Sequence, residues 1–315
     1  MELTLLICTH KRATSLQETL NGLVGQFPSS FDWEIIVVDN ANDISTQQVV
    51  KDLSDRLPIS LIIEKKPGQN SARNSAIASI KGELVVFTDD DITPQKNWLL
   101  SMYTASKEHP DTAVFGGKIT PVWQSKQPPW QASAWFSSFV YADQNLGVEQ
   151  LTYEDGVLPS SPNMAFRRYI FDEGLRFNEK IGPIGSKRIS GSESEFLSRV
   201  LANHKGLYIP ESEVFHRITD NMLQRSYLRK RCYAMGLGMA VWAPSPTSEK
   251  NIPHIFGVAR YRLGRIIKSC FLTIYHQVTL NTQKAIETEC QAALDIGFCI
   301  GIWTNLKDAL KTTNI

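Results

Sequence analysis

Short apolar runs alternate with helical patterns through the first third of the chain. Runs rich in Val and Ile predict buried strands over residues 3–8, 34–38, 59–63 and 84–87. Apolar residues spaced three and four apart predict amphipathic helices over residues 16–24, 49–57 and 69–80. This alternation is typical of an α/β doubly wound, mainly parallel sheet, whose ligands bind beyond the carboxyl ends of the strands.

The pattern loosens after Pro121. Residues 121–162 contain five prolines and several tryptophans, which predicts a long, partly ordered insertion over the edge of the sheet. Regular signals return as a strand over 164–166, a helix over 192–202 and a short strand over 207–209. From Asn221 the chain is largely helical. We therefore predict an α/β domain over residues 1–220 and a helical C-terminal extension over 221–315.

The composition excludes few functions, but it bears on the partners and the cellular compartment of the protein. The 315 residues carry 33 Lys+Arg and 32 Asp+Glu, so nothing indicates a polyanionic partner and we expect no nucleic acid. Five scattered cysteines form no CxxC pair, which favours a reducing compartment over zinc or disulfides. Neither a signal peptide nor an apolar stretch of about eighteen residues is apparent. We expect a cytoplasmic protein, soluble or at the inner face of the membrane, and the sequence leaves its oligomeric state open.

Three consecutive carboxylates, Asp89, Asp90 and Asp91, follow the fourth apolar run. Adjacent carboxylates repel one another, so a purely structural role is costly without a cation or several hydrogen-bond donors. At the open end of a strand they can hold a hard divalent ion, whose other positions take phosphate oxygens. The alternative is an aspartate that caps a helix starting near Pro94.

This segment resembles the Asp-x-Asp motif of GT-A glycosyltransferases, and its context resembles family 2. Four further segments are similar to family motifs, namely the first-strand loop at 8–12, the second strand end at 37–40, the Gly-x-x-x-Ala-Arg-Asn helix at 67–74 and Asn97-Trp98-Leu99. The resemblance covers roughly residues 3–218 and rests on the joint order of these motifs. It implies the GT-A fold, a Rossmann-like, mainly parallel twisted sheet flanked by helices.

The resemblance also implies an activity. Family members transfer a sugar, with inversion, from a nucleoside-diphosphate sugar, most commonly a UDP-sugar, to a hydroxyl of a glycan, polysaccharide or glycoconjugate. The cofactor would be Mn²⁺ or Mg²⁺, held by Asp91 and Asp89. The resemblance places the nucleotide-sugar site at Thr9, His10, Arg12, Asp39, Gly68, Arg73, Asp89 and Asp90.

Several of these residues have an alternative interpretation. Asp39 is either a nucleoside ligand or a capping aspartate in a turn. Arg73, near a helix N-terminus that favours anions, either steadies the pyrophosphate or braces the aspartates. Arg12 either approaches the nucleotide or is a solvated loop residue.

The segment 190–196 carries the second candidate chemistry. Its resemblance to the family's Glu-Asp-x-Glu-Phe motif places Glu193 at the position of the catalytic base, where the family usually has Asp. General-base chemistry tolerates this change if the geometry suits it. The alternative is helix capping, because Ser190 with Glu193, and Ser192 with Glu195, each fit a capping box.

The remaining candidates concern the metal and the acceptor. His216, just after a strand, resembles a metal-side histidine of some GT-A enzymes, although a lone histidine is more often structural. Aromatic faces stack on sugar rings, so we expect Trp123 and Trp130 to contact the acceptor, together with Asn163 and the loop at 181–185.

Two basic stretches, at residues 225–231 and 260–268, adjoin apolar residues. They fit either peripheral contact with an anionic membrane or ordinary helix packing with solvated charges. Two rival functions also remain open. One is a nucleotidyltransferase-like phosphate-handling enzyme, although no lysine-bearing Gly-rich loop is seen; the other is a catalytically silent binding protein, favoured by the change to Glu193.

Overall fold

A computed structural model of the chain describes residues 1–125, 134–153, 158–185, 187–242 and 253–304. Its strands are β1 (Leu3–Thr9), β2 (Trp33–Asp39), β3 (Ile59–Ile63), β4 (Leu84–Asp89), β5 (Ile92–Pro94), β6 (Thr112–Trp123), β7 (Leu151–Thr152), β8 (Met164–Arg167), β9 (Gly182–Ile184), β10 (Lys187–Ile189), β11 (Lys205–Ile218), β12 (His254–Ile255) and β13 (Val258–Ala259). Its helices are α1 (Ala13–Leu23), α2 (Ile44–Leu53), α3 (Gln69–Ile77), α4 (Trp98–Glu108), α5 (Ala134–Tyr141), α6 (Tyr169–Asp172), α7 (Ser192–Leu201), α8 (Asp220–Leu223), α9 (Arg225–Trp242), α10 (Arg260–Val278) and α11 (Thr282–Trp303).

A nine-stranded sheet organises the first two thirds of the chain. Its order is β3-β2-β1-β4-β8-β6-β11-β5, and β7 pairs with β11. The first four strands run parallel, whereas β8 pairs antiparallel with both β4 and β6. The predicted α/β class, with a central parallel sheet flanked by helices, is confirmed.

The apolar strands are buried on both faces because helices cover both sides of the sheet. Side chains alternate, so Leu5 and Val86 enter one core cluster with residues of α1, α2 and α4. Leu6 and Phe87 enter a second cluster on the other face, with residues of α3 and α7. This two-sided burial is the reason that the strands read as continuous apolar runs.

The strand predicted over 207–209 is much longer in the structure. β11 covers 14 residues and continues to Ile218. Its second half alternates buried and partly exposed side chains, with Val214 and His216 among the buried ones. Polar residues on the alternate positions and Pro210 inside the segment concealed this strand from a search for apolar runs.

The described residues form two compact units. The first comprises residues 1–122, 142–179 and 193–217, and the second comprises residues 123–141, 180–192 and those from 218 onward. The predicted functional division at residue 220 stays a prediction, because compactness alone does not assign function.

Helices α9 and α11 pack closely within the second unit. A Cβ atom on Gly236 would lie 2.0 Å from the Leu294 carbonyl oxygen, and one on Gly297 would lie 2.2 Å from that of Tyr233. Glycine is therefore required at both positions. In the described ranges, no helix combines the length and the apolar content needed to cross a membrane.

Leu5→Ala tests the central position of β1. Leu5 is fully buried between β2 and β4, so its truncation should lower the free energy of unfolding by about 2–5 kcal/mol. Urea denaturation followed by circular dichroism measures the change. Ile63→Ala, on the outermost strand β3 and 42% exposed, is the matched control and should cost clearly less. Equal losses would contradict the described core.

Candidate active site

Parallel strands bring the predicted polar residues to one edge of the sheet. In the register of the sheet, Thr9 at the end of β1 lies opposite Asp39 of β2. On its other side, Cys8 of β1 lies opposite Asp89 of β4. The motifs at 8–12, 37–40 and 88–91 therefore meet at the carboxyl ends of their strands, where ligands bind in sheets of this kind.

Arg12 forms ion pairs with two residues of the aspartate cluster. Its Nη1 lies 2.8 Å from Asp90 Oδ1, and its Nη2 donates to Asp91 Oδ2 at 2.8 Å. The Thr9 hydroxyl donates to the other oxygen of Asp90 at 2.6 Å. The first loop is thereby tied to the carboxylates, a contact that neither sequence interpretation of Arg12 had included.

Neighbouring aspartates in this cluster differ in their affinity for protons. Burial raises the pKa of Asp90 to about 7, although the charge of Arg12 opposes this rise. Burial also raises the pKa of Asp89, reinforced by the charge of Asp91. For Asp91, the effect of burial is outweighed by the neighbouring His216 and Arg12, which hold its pKa well below the usual range. Asp91 is thus the carboxylate that stays ionised most readily.

The donor set around Asp91 fits a divalent cation. Its Oδ1 is buried and has no hydrogen-bond partner among the described residues, and its Oδ2 lies 3.6 Å from His216 Nε2. Carboxylate oxygens suit Mg²⁺ and Mn²⁺, and imidazole is a competent ligand for Mn²⁺. Within the described part of the chain, no three His, Cys, Asp or Glu side chains are gathered into a metal-binding group. The cationic partner of Asp90 and Asp91 is the Arg12 guanidinium.

A buried arginine connects the cluster to the second predicted segment. Arg73, on α3, donates through Nη2 to Glu193 Oε1 at 3.2 Å and to the Ser161 hydroxyl. Ser161 in turn donates to Asp89 Oδ1 at 3.0 Å. The guanidinium also lies over the Phe177 ring, 5.1 Å from its centroid. These contacts match the bracing role and place Glu193 in the network of the aspartates.

The two glutamates of α7 have different surroundings. Glu193 contacts the buried Arg73, whereas Glu195 pairs with Arg199 one helical turn later, at 2.8 Å. An i, i+4 pair on a helix surface is a common local contact. Of the two, Glu193 is therefore the carboxylate with a connection to Asp89.

The side chains of Asp39 and Asn40 form hydrogen bonds with the backbone of the loops at the carboxyl edge of the sheet. Asp39 is fully buried and accepts hydrogen bonds from the amides of Ala41 and Asp43, at 2.9 and 2.7 Å. These bonds match the turn interpretation of Asp39. The Asn40 side chain donates to the carbonyl of Lys66 and accepts from the Gly68 amide at 2.8 Å. Asn40 therefore fixes the start of α3.

Gly68 and His10 are positioned by the same loops. Gly68 precedes α3 with a φ of 132°, a conformation that favours glycine. His10 Nδ1 lies 3.0 Å from the carbonyl oxygen of Asn40. Gln69, the first residue of α3, donates to Asp89 Oδ1 at 3.3 Å.

Sequence reasoning missed Asn40, Gln69 and Ser161 as members of this site. Asn40 had a usable signal, because it follows β2 directly at the polar end of a buried strand. Gln69 lies inside the motif at residues 67–74, but no role was predicted for it. Ser161 belongs to a short 3₁₀ turn in the predicted insertion, and no spacing rule links it to Asp89.

Two of the predicted acceptor residues, Asn163 and Trp123, lie within the described part of the chain. Asn163 is fully buried, and its amide accepts from Trp98 Nε1 at 2.8 Å and donates to the Ser212 carbonyl at 2.7 Å. This position leaves no surface for the predicted acceptor contact. Trp123 lies in the second unit, edge-on to Tyr141. Trp130 lies outside the described residues.

Four of the eight basic residues in the two basic stretches form ion pairs between packed helices. Arg225 and Arg229 of α9 both pair with Glu289 of α11. Arg262 and Arg265 of α10 both pair with the fully buried Asp295. For these four arginines the packing interpretation agrees with the structure.

Asn163→Ala tests the structural role of this amide. The change leaves the Trp98 indole N–H and two carbonyls without their partner, so the unfolding free energy should fall by about 2–4 kcal/mol. Thermal melting measures the loss. Asn21→Ala, at an exposed position of α1, is the control and should barely change the melting temperature. A fully stable Asn163→Ala protein would contradict the buried role.

Comparison with known proteins supports the resemblance seen in the sequence motifs. The family model described as glycosyl transferase family 2 matches residues 4–175, more than half of the chain. A glucosyl-dolichyl phosphate glucuronosyltransferase of Haloferax volcanii is 21% identical over 261 residues, 80% of this chain and 81% of that protein. The succinoglycan biosynthesis protein ExoM of Rhizobium meliloti is 25% identical over 236 residues, 73% of this chain and 71% of its own.

Solved structures share the fold at low sequence identity. The mannosyltransferase PcManGT of Pyrobaculum calidifontis, solved with GDP-Man and Mn²⁺, has a TM-score of 0.62 at 15% identity, covering 96% of this chain and 87% of that one. TarS 1–349 of S. aureus, solved with UDP-GlcNAc, has a TM-score of 0.52 at 15% identity, covering 98% and 92%. Their likeness shows the GT-A fold, as predicted. With the family match over residues 4–175, it follows that the chain belongs to glycosyl transferase family 2.

Proposed function

We propose that this glycosyltransferase moves a sugar from a nucleoside-diphosphate sugar, with inversion, to a hydroxyl of a glycan, polysaccharide or glycoconjugate. The observation that carries the proposal is the network in which Arg73 joins Glu193 to Ser161, and Ser161 joins Asp89. It links the candidate base to the candidate diphosphate site at the ligand-binding edge of the sheet.

A UDP-sugar is our proposed donor. TarS has been solved with UDP-GlcNAc and PcManGT with GDP-Man, so the shared fold accommodates both nucleosides. In this chain, the loops after β1 and β2 carry the proposed nucleotide contacts, including His10 and Asp39. Because both carboxylate oxygens of Asp39 already hold backbone amides, a nucleoside would use their remaining lone pairs.

Glu193 is the proposed general base. Its side chain is 23% exposed, so it can meet an acceptor hydroxyl while Arg73 holds one of its oxygens. As Glu193 removes the proton, the acceptor oxygen attacks the anomeric carbon from the face opposite the diphosphate, and the bond from that carbon to the diphosphate oxygen breaks. A single displacement of this kind inverts the configuration of that carbon. Arg73 acts as a positioning residue, because its contacts with Asn70, Ser161 and Phe177 fix the carboxylate of Glu193.

Asp91, together with Asp89 and His216, would hold a Mn²⁺ or Mg²⁺ ion. When bound, such an ion neutralises negative charge on the departing diphosphate. The Asp91 carboxylate would supply the ion with a charged oxygen ligand. Arg12, bound to Asp90 and Asp91, supplies positive charge at the same place and is a proposed diphosphate contact.

Acceptor recognition is assigned to aromatic side chains. Trp123 and Trp130 are proposed to stack on sugar rings, as aromatic faces do in many carbohydrate sites. Asn163 is left out of this set, because its amide is committed to Trp98 and to buried carbonyls.

Glu193→Gln tests the proposed base. The substitution keeps the size of the side chain but removes its basicity, so sugar transfer should fall roughly a hundredfold or more while donor affinity and melting temperature stay near wild type. Transfer is followed by release of UDP from UDP-sugars. The matched control is Glu195→Gln, whose wild-type partner is the surface residue Arg199 and which should transfer normally.

Three outcomes would contradict this proposal. Normal turnover in Glu193→Gln with lowered stability would leave Glu193 as a capping residue. Inactive Glu195→Gln beside active Glu193→Gln would shift the motif by two positions. If the wild type binds UDP-sugars but neither hydrolyses nor transfers them, the protein is a silent binding member of the family.

Asp91→Asn tests the proposed metal site. Removing the charge of Asp91 should weaken Mn²⁺ binding at least tenfold, since the ion loses one of its carboxylate ligands. Electron paramagnetic resonance of free Mn²⁺, titrated with protein and UDP, measures the affinity without any need for turnover. Asp111→Asn, an exposed aspartate between α4 and β6, is the control and should bind Mn²⁺ as the wild type does. Unchanged affinity in Asp91→Asn would place the ion elsewhere.

A further inference from the structure

Helix α10 turns its apolar side toward solvent. Four large side chains recur at spacings of four, three and four residues and together form what we call the α10 face: Ile267, Phe271, Ile274 and Val278. Each of them is between 60% and 77% exposed. Residues at these spacings lie on one side of a helix, so the four side chains form a continuous apolar row.

The opposite side of α10 is polar and packs on α11. Arg265 Nε donates to Asp295 Oδ2 at 2.6 Å, and Asp295 has no exposed surface. Arg262 also pairs with Asp295 and lies 3.8 Å from the centroid of the Phe298 ring. Thr273 adds a hydrogen bond to Thr288 at 2.9 Å. The helix is therefore oriented with its polar side inward, the reverse of an ordinary surface helix.

The buried ion pairs fix this orientation. A rotation of α10 that buried the α10 face would carry Arg262 and Arg265 away from Asp295. It would leave a fully buried carboxylate without its cationic partners, which is strongly unfavourable. The apolar row is thus held in solvent by a specific contact with α11. Contiguous exposed apolar side chains of this kind mark interaction surfaces.

The charge around α10 selects the partner. Residues 253–286 contain five Lys or Arg and no Asp or Glu, in a chain whose totals are 33 and 32. Asp295 pairs with two of the five, Arg262 and Arg265. Arg260 and Lys268 are exposed on α10 beside the apolar row. A second copy packed on this side would bring like charges together, whereas an anionic lipid surface complements them.

We propose that the α10 face docks on an anionic lipid surface. Its apolar side chains would enter the boundary between headgroups and acyl chains, while Arg260 and Lys268 contact anionic headgroups. The helix would lie in the plane of the surface, consistent with the finding that no helix in the described ranges can span a membrane. The proposal is independent of the identity of the sugar donor and acceptor.

Co-sedimentation of the full chain with vesicles tests the proposal. The wild type should bind mixed phosphatidylglycerol–phosphatidylcholine vesicles, and it should bind pure phosphatidylcholine vesicles at least tenfold more weakly. Binding to the mixed vesicles should fall as salt rises from ~0.05 M to ~0.5 M, since the Debye length then shortens. Wild-type protein that stays in the supernatant with mixed vesicles at low salt would overturn the proposal.

Variants distinguish vesicle binding through the α10 face from nonspecific adsorption. The double variant Phe271→Ser/Ile274→Ser should bind the mixed vesicles at least tenfold more weakly, with an unchanged melting temperature because both side chains are exposed. Lys268→Glu should weaken binding roughly fivefold or more. Ile44→Ser, at an exposed isoleucine on α2, is the matched control and should bind as the wild type does.

Two further results would overturn the proposal. One is vesicle binding by the double variant equal to that of the wild type. The other is a wild-type dimer in sedimentation velocity that the double variant dissolves, without vesicle binding by either protein. That second pattern would make the α10 face a contact between two copies of the chain.

Discussion

Repulsion among three consecutive carboxylates at the end of β4 is the constraint on which the site depends. Asp90 and Asp91 are nearly buried, and together with Asp89 they would destabilise the edge of the sheet without compensation. The Arg12 guanidinium, in the first loop, compensates this charge, and His216 of β11 lies 3.6 Å from Asp91. The same electrostatic need that draws in these residues makes the edge receptive to a divalent cation.

The hydrogen-bond network around the aspartates extends to Glu193. Asp89 accepts a hydrogen bond from Ser161, which shares the guanidinium of Arg73 with Glu193. The proposed diphosphate site is therefore connected to the proposed base through three consecutive hydrogen bonds. Buried Arg73 cannot follow a mobile carboxylate, so it holds Glu193 in one place, which suits a group that must meet an acceptor hydroxyl in a defined geometry.

Much of the sheet could be predicted from the sequence, because local patterns determine it. β1 to β4 and α7 match their predicted positions, since runs of Val and Ile and the spacing of apolar residues report burial directly. The family motifs located the edge that carries the candidate chemistry. By contrast, β11 was predicted far too short, because its second half alternates buried and partly exposed positions and carries polar residues.

Contacts between distant segments could not be predicted. Nothing in the order of residues says that Arg12 would bind two aspartates, that Asn163 would be buried against Trp98, or that Ser161 would reach Asp89. The orientation of α10 has the same origin, because it depends on Asp295, thirty residues away from Arg265. Sequence patterns report whether a residue is apolar, but such pairings arise only when the chain has folded.

The central claim is that the clustered carboxylates form a cation-dependent site for a nucleoside diphosphate. Isothermal titration calorimetry of the wild-type protein with UDP, performed once with Mn²⁺ and once with a chelator, tests it most directly. The account predicts saturable binding with Mn²⁺ and an affinity at least tenfold lower with the chelator, because the ionised Asp91 carboxylate would then face the negative charge of the diphosphate without the cation. Equal affinity under the two conditions would contradict it.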